Sequence, residues 1–244
     1  MREINQHDFF IVIPAFNPDV LLIQTIEDIQ NEKKLSEFPI IIVNDGSSSS
    51  ALFSEKIFSS PQIKVLNHER NLGKGAAIKT AVKWIEENCP EVKCIITVDA
   101  DYQHRAADIL QVLMPPSAED FVIGYRHFSL RHTPLRSYVG NQISRVVVFV
   151  FSMFFLKDTQ SGLRRYPKRL FHTLRNSPYD RYEFEVKALL DSLDASRKPH
   201  FVPIGCHYIA NNKSSHFKVI QDSVRIYGVI LWNFIDKVFN RNPK

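Results

Sequence analysis

The chain has 244 residues, 44% hydrophobic, 11% aromatic and 23% charged, which is enough apolar content for one substantial core and excludes a disordered or low-complexity chain. Lys and Arg number 31 against 26 acids; an excess of +5 without interleaved aromatics predicts no nucleic-acid partner. Three scattered cysteines, Cys89, Cys94 and Cys206, make no disulfide framework, so a reducing, cytoplasmic setting is expected.

Met1 to Phe10 carries Arg2, Glu3 and Asp8 and no apolar run of signal length, so no targeting segment is expected. Phe9 to Ile13 reads as a buried strand stopped by Pro14, and residues 19–33 place Val20, Ile23, Ile26 and Ile29 at helical spacing. Ile40 to Val43 is a second strand, closed by Asn44-Asp45-Gly46 and the serines 47–50. Ile63 to Leu66 is a third strand, Ala76 to Glu87 a helix, Ile95 to Val98 a fourth strand, Ala106 to Leu113 a helix and Phe121 to Ile123 a fifth strand. Nearly continuous apolar strands alternating with helices predict an α/β fold, a single doubly wound, mostly parallel sheet with helices on both faces. Ligands bind such sheets beyond the carboxyl ends of the strands, which directs attention to residues 14–17, 44–47, 67–75 and 99–104.

The second half is less regular. A long apolar helix is expected over residues 138–156, a polar turn over 157–162, a helix over 183–193, a strand near 201–204 and a final amphipathic helix over 217–239. The greasiest run, residues 146–156, is shorter than the ~18 apolar residues of a spanning helix. The last helix carries Phe217, Ile220, Val224, Tyr227, Leu231, Phe234 and Val238 at helical spacing, widened by Ile230, Trp232 and Ile235, with Lys218, Arg225, Lys237 and Arg241 as cations. Such a helix either packs on the domain or lies in a membrane interface. The expected division is a catalytic domain over 1–216 and this helical segment over 217–244.

Asp99-Ala100-Asp101 follows the fourth strand. Two carboxylates one residue apart can share Mg2+ or Mn2+ with a diphosphate, and Gln103 or His104 could add a ligand. The alternative is a carboxylate capping the next helix. Asn44-Asp45-Gly46-Ser47 offers an acceptor for a base or ribose, although on its own it reads as a turn. Asn71-Leu72-Gly73-Lys74-Gly75 opens a helix, where glycine backbone, helix N-terminus and Lys74 all favour an anion. Ile78 stands where a dinucleotide fingerprint needs Gly or Ala, and no Gly-x4-Gly-Lys-Ser/Thr occurs, so Rossmann dehydrogenases and P-loop enzymes are disfavoured.

The series Ile13-Pro14-Ala15-Phe16-Asn17, Val43-Asn44-Asp45-Gly46-Ser47-Ser48, Asn71 to Gly75 and Val98-Asp99-Ala100-Asp101-Tyr102-Gln103-His104 resembles the family 2 glycosyltransferases. Gly124-Tyr125-Arg126, Asp158-Thr159-Gln160-Ser161-Gly162-Leu163-Arg164 and Tyr182-Glu183-Phe184-Glu185-Val186 extend the likeness to the dolichyl- or polyprenyl-phosphate sugar synthase branch, over residues 10–190. The resemblance implies a GT-A fold with a Rossmann-like nucleotide-sugar domain. Pro14, Ala15, Asn17, Asp45, Gly46, Lys74 and Asp99 would line the nucleotide-sugar site, and Asp99, Asp101 and Gln103 would hold Mg2+ or Mn2+. Arg126, Arg136 and Arg164 would face donor or acceptor phosphates, and Asp101, Arg164, Glu183 and Glu185 are the catalytic candidates. Departures from the family pattern are Asn17-Pro18 for Asn-Glu, where Asp19 could replace the lost ribose contact, Asn44 for a first acid, Leu163 for Phe, and Arg105-Ala106 for Pro-Pro.

The implied activity is a metal-dependent, inverting hexosyl transfer from a GDP-mannose- or UDP-glucose-type donor to a polyprenyl or dolichyl phosphate, by an enzyme on the cytoplasmic face of a membrane and in peripheral contact with it. An anionic phosphate acceptor needs no strong base. A saccharide hydroxyl does, and Glu183 or Glu185 is then the candidate. The remaining alternative is a non-catalytic nucleotide-binding module, which would be expected to lack the carboxylates that Asp99 and Asp101 supply.

Overall fold

The computed structural model describes residues 8–49, 51–115, 117–126, 149–150, 158, 161–194, 199–205, 207 and 219–239. The predicted strands are present as β1 (Phe9–Ala15), β2 (Ile40–Asn44), β3 (Ile63–Asn67), β4 (Cys94–Thr97), β5 (Val122–Arg126) and, later in the chain, β7 (His200–Ile204). Between the last two runs β6 (Arg164–Pro167). The seven form one sheet in the order β3-β2-β1-β4-β6-β5-β7. All pairings are parallel except those of β6, which runs antiparallel to β4 and β5.

β6 is the strand the hydrophobic pattern misses, because it begins with two arginines. Both are buried, and their guanidiniums are spent on main-chain carbonyls: Arg165 donates to Leu113 O, Pro115 O and Ser117 O, satisfying groups left over at a helix end.

Helices cover both faces. α1 (Val20–Asn31) and α3 (Ala106–Leu113) bury Leu22, Ile26, Ile29, Ile109 and Val112 against Ile11, Ile13, Ile40, Ile42 and Ile96. On the other face α2 (Lys74–Asn88), α4 (Phe171–Arg175) and α5 (Glu183–Asp194) bury Ala77, Ala81, Ile85, Phe171, Phe184 and Leu189 against Phe10, Val12, Ile41, Val43 and Ile95. Alternate residues of each central strand therefore serve opposite cores, which is why these strands read as unbroken apolar runs. Asp19 caps α1, accepting from Leu21 N at 2.9 Å, and so is committed to the helix start rather than to the expected stand-in ribose contact.

The last helix, α6 (Val219–Phe239), divides the apolar face read from the sequence. Val229 and Ile230 are buried, and Ile226 and Tyr227 pack on the core beside them. Val224, Leu231, Trp232 and Phe239 are exposed, Trp232 at 67% and Phe239 at 78%. Among the described residues no helix is long and apolar enough to cross a membrane. The expected helix over 138–156 lies outside the described residues, apart from 149 and 150.

Candidate active site

Register aligns Ala15, Asn44 and Asn67 across β1, β2 and β3, so the loops that follow open side by side. All four described residues with positive φ belong to this carboxyl edge: Asn17 (43°), Gly46 (67°), Tyr102 (60°) and Gly73 (112°). Strained backbone concentrated in this way is a feature of functional loops. Asn17 is clasped to the next loop, its N–H donating to Ser47 Oγ at 2.9 Å and its Oδ1 accepting from Ser48 N at 2.8 Å. Pro14 and Ala15 end β1, and Ala15 O accepts from Asp45 N.

Asp45 is only 2% exposed. Its oxygens receive His68 Nδ1 at 2.7 Å, Leu72 N at 2.9 Å, Asn71 Nδ2 at 3.0 Å and Gly73 N at 2.8 Å. Four donors around one carboxylate use up its strong acceptor directions. The side chain ties the 71–73 turn to the end of β2.

That turn delivers Lys74, the first residue of α2. Lys74 Nζ lies 2.6 Å from Asp99 Oδ1 and 3.0 Å from Glu185 Oε1 on α5. Burial alone would lower the Lys74 pKa, but the two carboxylates outweigh it and raise it above the usual lysine range. Asp99 is held below the usual carboxylate range: burial opposes this, and Lys74 and His104 overcome it. His104 is buried, accepts from Asp99 N at 3.3 Å through Nδ1, and is driven below the usual histidine value by burial.

Asp101 differs from its neighbour. Burial and the charge of Asp99 push its carboxyl up to about 6, while Gln103 donates to it from both main chain (3.2 Å) and side chain (2.8 Å). Neither aspartate caps a helix, because the start of α3 is held by Asp108 on Arg105 N and by Asp28 on Ala106 N.

The three arginines part company. Arg126, at the end of β5, has its Nε 2.9 Å from Asp158 Oδ2, and Asp158 is fully buried. Arg164 is 1% exposed and donates to Ser161 O, Glu185 O and the Tyr166 hydroxyl. It therefore buttresses α5 beneath the cluster. Arg136 lies outside the described residues. Glu183, in the first turn of α5, is 8% exposed, and its Oε2 has no hydrogen-bond partner among the described residues.

The match to a family model settles the broader identity: the glycosyl transferase family 2 model matches residues 10–161, more than half of the chain. The chain belongs to glycosyl transferase family 2. Among its relatives, a protein of Methanocaldococcus jannaschii is 29% identical over 95% of this chain and 94% of its own length. A UDP-N-acetylglucosamine–dolichyl-phosphate N-acetylglucosaminyltransferase of Methanococcus voltae is 28% identical over 74% of this chain and 78% of its own. A dolichyl-phosphate β-glucosyltransferase of Trichomonas vaginalis is 26% identical over 93% and 73%. Of solved structures, glucosyl-3-phosphoglycerate synthase of Mycobacterium tuberculosis, crystallised with Mn2+, UDP and glucosyl-3-phosphoglycerate, superposes with a TM-score of 0.66 at 13% identity, covering 94% of this chain and 79% of that one. The chain is thus a glycosyltransferase of GT-A fold near the dolichyl-phosphate sugar synthase branch.

The residues of this glycosyltransferase suit a hard divalent cation. Asp99 and Asp101 are oxygen donors of the right kind, and a raised Asp101 pKa marks a site short of positive charge. Gly162 keeps the flank of Asp99 open: an added Cβ would fall 2.5 and 2.7 Å from its two oxygens and 2.8 Å from Lys74 Nζ. Among the described residues no three His, Cys, Asp or Glu side chains converge on one point, so the remaining ligands would be amide, water and diphosphate oxygens. Sequence reasoning missed His68, Asp158 and Tyr182. Tyr182 is pushed up to about 12, by burial first, with Asp99, Glu185 and Asp222 adding to the rise. Asp158 and Tyr182 carried a signal, as the first residues of the 158–164 and 182–186 segments, and His68 carried none.

Proposed function

We propose that the enzyme transfers a hexose from a nucleotide sugar to a polyprenyl phosphate, in a single displacement that inverts the anomeric centre. The observation that carries this reading is the charge imbalance at the sheet edge, where Asp101 stands beside Asp99 and is raised to about 6. A site that strains to hold two carboxylates is matched to a cation and a diphosphate together. Asp99, Asp101 and Gln103 hold Mg2+ or Mn2+, which when bound neutralises the leaving nucleoside diphosphate as a Lewis acid. Lys74 approaches the same diphosphate from the start of α2, and Arg126 and Arg136 serve the phosphate of the acceptor. The UDP named for the Methanococcus relative and for the mycobacterial structure supports a uridine donor over a guanosine one.

The dolichyl-phosphate relatives support the lipid acceptor, and α6 supports a route to it. Its exposed Val224, Leu231, Trp232 and Phe239, with Arg225 alongside, suit an interfacial helix on the cytoplasmic face of a membrane. We divide the chain accordingly into a catalytic domain over 1–216 and a membrane-contacting segment over 217–244. A phosphate acceptor is already anionic, so neither Glu183 nor Glu185 need act as a base; Glu185 instead fixes Lys74.

One observation favours a second reading, transfer to a saccharide hydroxyl: the buried Glu183 has an unpartnered oxygen that could take a proton. Glu183→Gln separates the two. Transfer to polyprenyl phosphate should survive this substitution nearly unchanged, whereas on the second reading transfer to a saccharide acceptor should fall on the order of 10²-fold.

A further inference from the structure

We propose that His68 is a positioning residue for the reaction centre, acting on Lys74 through Asp45. His68 lies just past the end of β3, its side chain almost wholly buried. Its main-chain N–H donates to Asn44 O at 2.9 Å, fixing its backbone to the end of β2. Nδ1 lies 2.7 Å from Asp45 Oδ1 and Nε2 lies 2.9 Å from Thr80 Oγ1 on α2. Nδ1 is thus hydrogen-bonded to the Asp45 carboxylate and Nε2 to the Thr80 hydroxyl.

The imidazole therefore joins three things that must be in register. These are the β2 end with Asp45, the body of α2 with Thr80, and, through the other three donors on Asp45, the turn 71–73. That turn ends at Gly73, whose φ of 112° is not open to other residues without strain, and the next residue is Lys74. Lys74 Nζ then sits between Asp99 and Glu185. Both the approach to Lys74 and the helix that bears it are tied to one ring. If the ring is lost, Asp45 loses one of its four donors and the turn it holds can shift, and small displacements of a charged group at a reacting centre are costly.

Two amide substitutions separate the contacts. The Asn side-chain N–H can stand in for Nδ1–H and reach Asp45, whereas the longer Gln mimics Nε2 and reaches towards Thr80. His68→Asn should keep kcat/KM for the nucleotide sugar within about threefold of wild type, whereas His68→Gln and His68→Ala should lower it about tenfold. In a Lys74→Ala background the same His68 changes should have almost no further effect, because the residue through which they act is gone. Thr80→Val, which leaves Asp45 paired, should cost no more than about threefold and serves where His68→Ala folds poorly.

A readout independent of turnover is amide hydrogen exchange at Leu72 and Gly73, the two N–H groups on Asp45. Their protection should fall at least about tenfold in His68→Ala and be restored in His68→Asn. The catalytic half of the inference rests on the glycosyl-transfer reading, and the exchange half does not. A wild-type protein that protects Leu72 and Gly73 but transfers no sugar would overturn that reading and leave the clamp standing. Full protection and unchanged kcat/KM in His68→Ala, or equal losses with and without Lys74, would overturn the positioning role.

Discussion

Two loop clusters share one sheet edge and differ in how fully their polar groups are satisfied. On the β1–β3 side, Asp45 has four donors, Asn17 clasps Ser47 and Ser48, and Asn44 donates to Asn67 Oδ1 at 3.0 Å. On the β4–α5 side, two carboxylates stand a residue apart, Lys74 is shared between Asp99 and Glu185, and Asp101 is raised to about 6. The first cluster is a finished piece of scaffolding that holds loops in strained conformations. The second carries carboxylate charge that its neighbours leave strained. Rigidity and unmet charge are thus assigned to adjacent halves of one site, which is how preorganised sites lower the cost of reorganisation at the moment of reaction.

The largest effect should come from removing charge on the unfinished side. Asp101→Ala should lower transfer on the order of 10³-fold with little change in thermal stability, since the side chain that is lost is itself electrostatically strained. Retained activity in a steady-state assay would dissociate the carboxylate pair from catalysis.

The second effect is in pH. The folded pKa of Asp101 is raised from 3.8 to about 6, so in the ligand-free protein its stability contribution is fully present below pH 3.8 and lost as pH rises through 6. A cation must displace that proton below pH 6. Mn2+ affinity, followed by titration with paramagnetic detection, should therefore be level above pH 7 and weaken about tenfold per pH unit below 6. A pH-independent affinity would place the metal elsewhere.

A third, smaller effect tests the scaffold. At Gly73 an added Cβ would lie 2.5 Å from Asp180 O on a backbone with φ of 112°. Gly73→Ala should cost about 1–3 kcal/mol, read as a lowered Tm, and should move the Lys74 pivot with it. The smallest effect on the fold should be that of Trp232→Ala, within about 0.5 kcal/mol because the ring is exposed, yet binding to anionic vesicles in a sedimentation assay should fall markedly.

The legible and illegible parts of the molecule follow the same division. β1, β2 and β4 stood out because both their faces are buried, and α1 and α3 because of their period. Asp99-x-Asp101 stood out because its two carboxylates are one residue apart in sequence. The contacts of Asp45 were hidden because its donors come from residues 23 to 28 positions away, which its turn-like local sequence does not announce. The contacts of Arg164 were hidden for a related reason. An arginine in a motif suggests phosphate, and only the packing shows that its donors end on Ser161 and Glu185 carbonyls. The Lys74–Glu185 ion pair joins helices 111 positions apart in sequence, and no local pattern announces it. On α6 one part of the apolar surface is in the core and another is exposed, a division that helical period alone does not reveal.

The most direct test of the central claim is a partition assay. The purified protein is incubated with labelled UDP-sugar, Mn2+ and vesicles containing polyprenyl phosphate, and the label is then extracted into organic solvent. The account predicts label in the organic phase that depends on both metal and polyprenyl phosphate and is absent in Asp101→Ala. Consumption of the donor with all label remaining in water would contradict it.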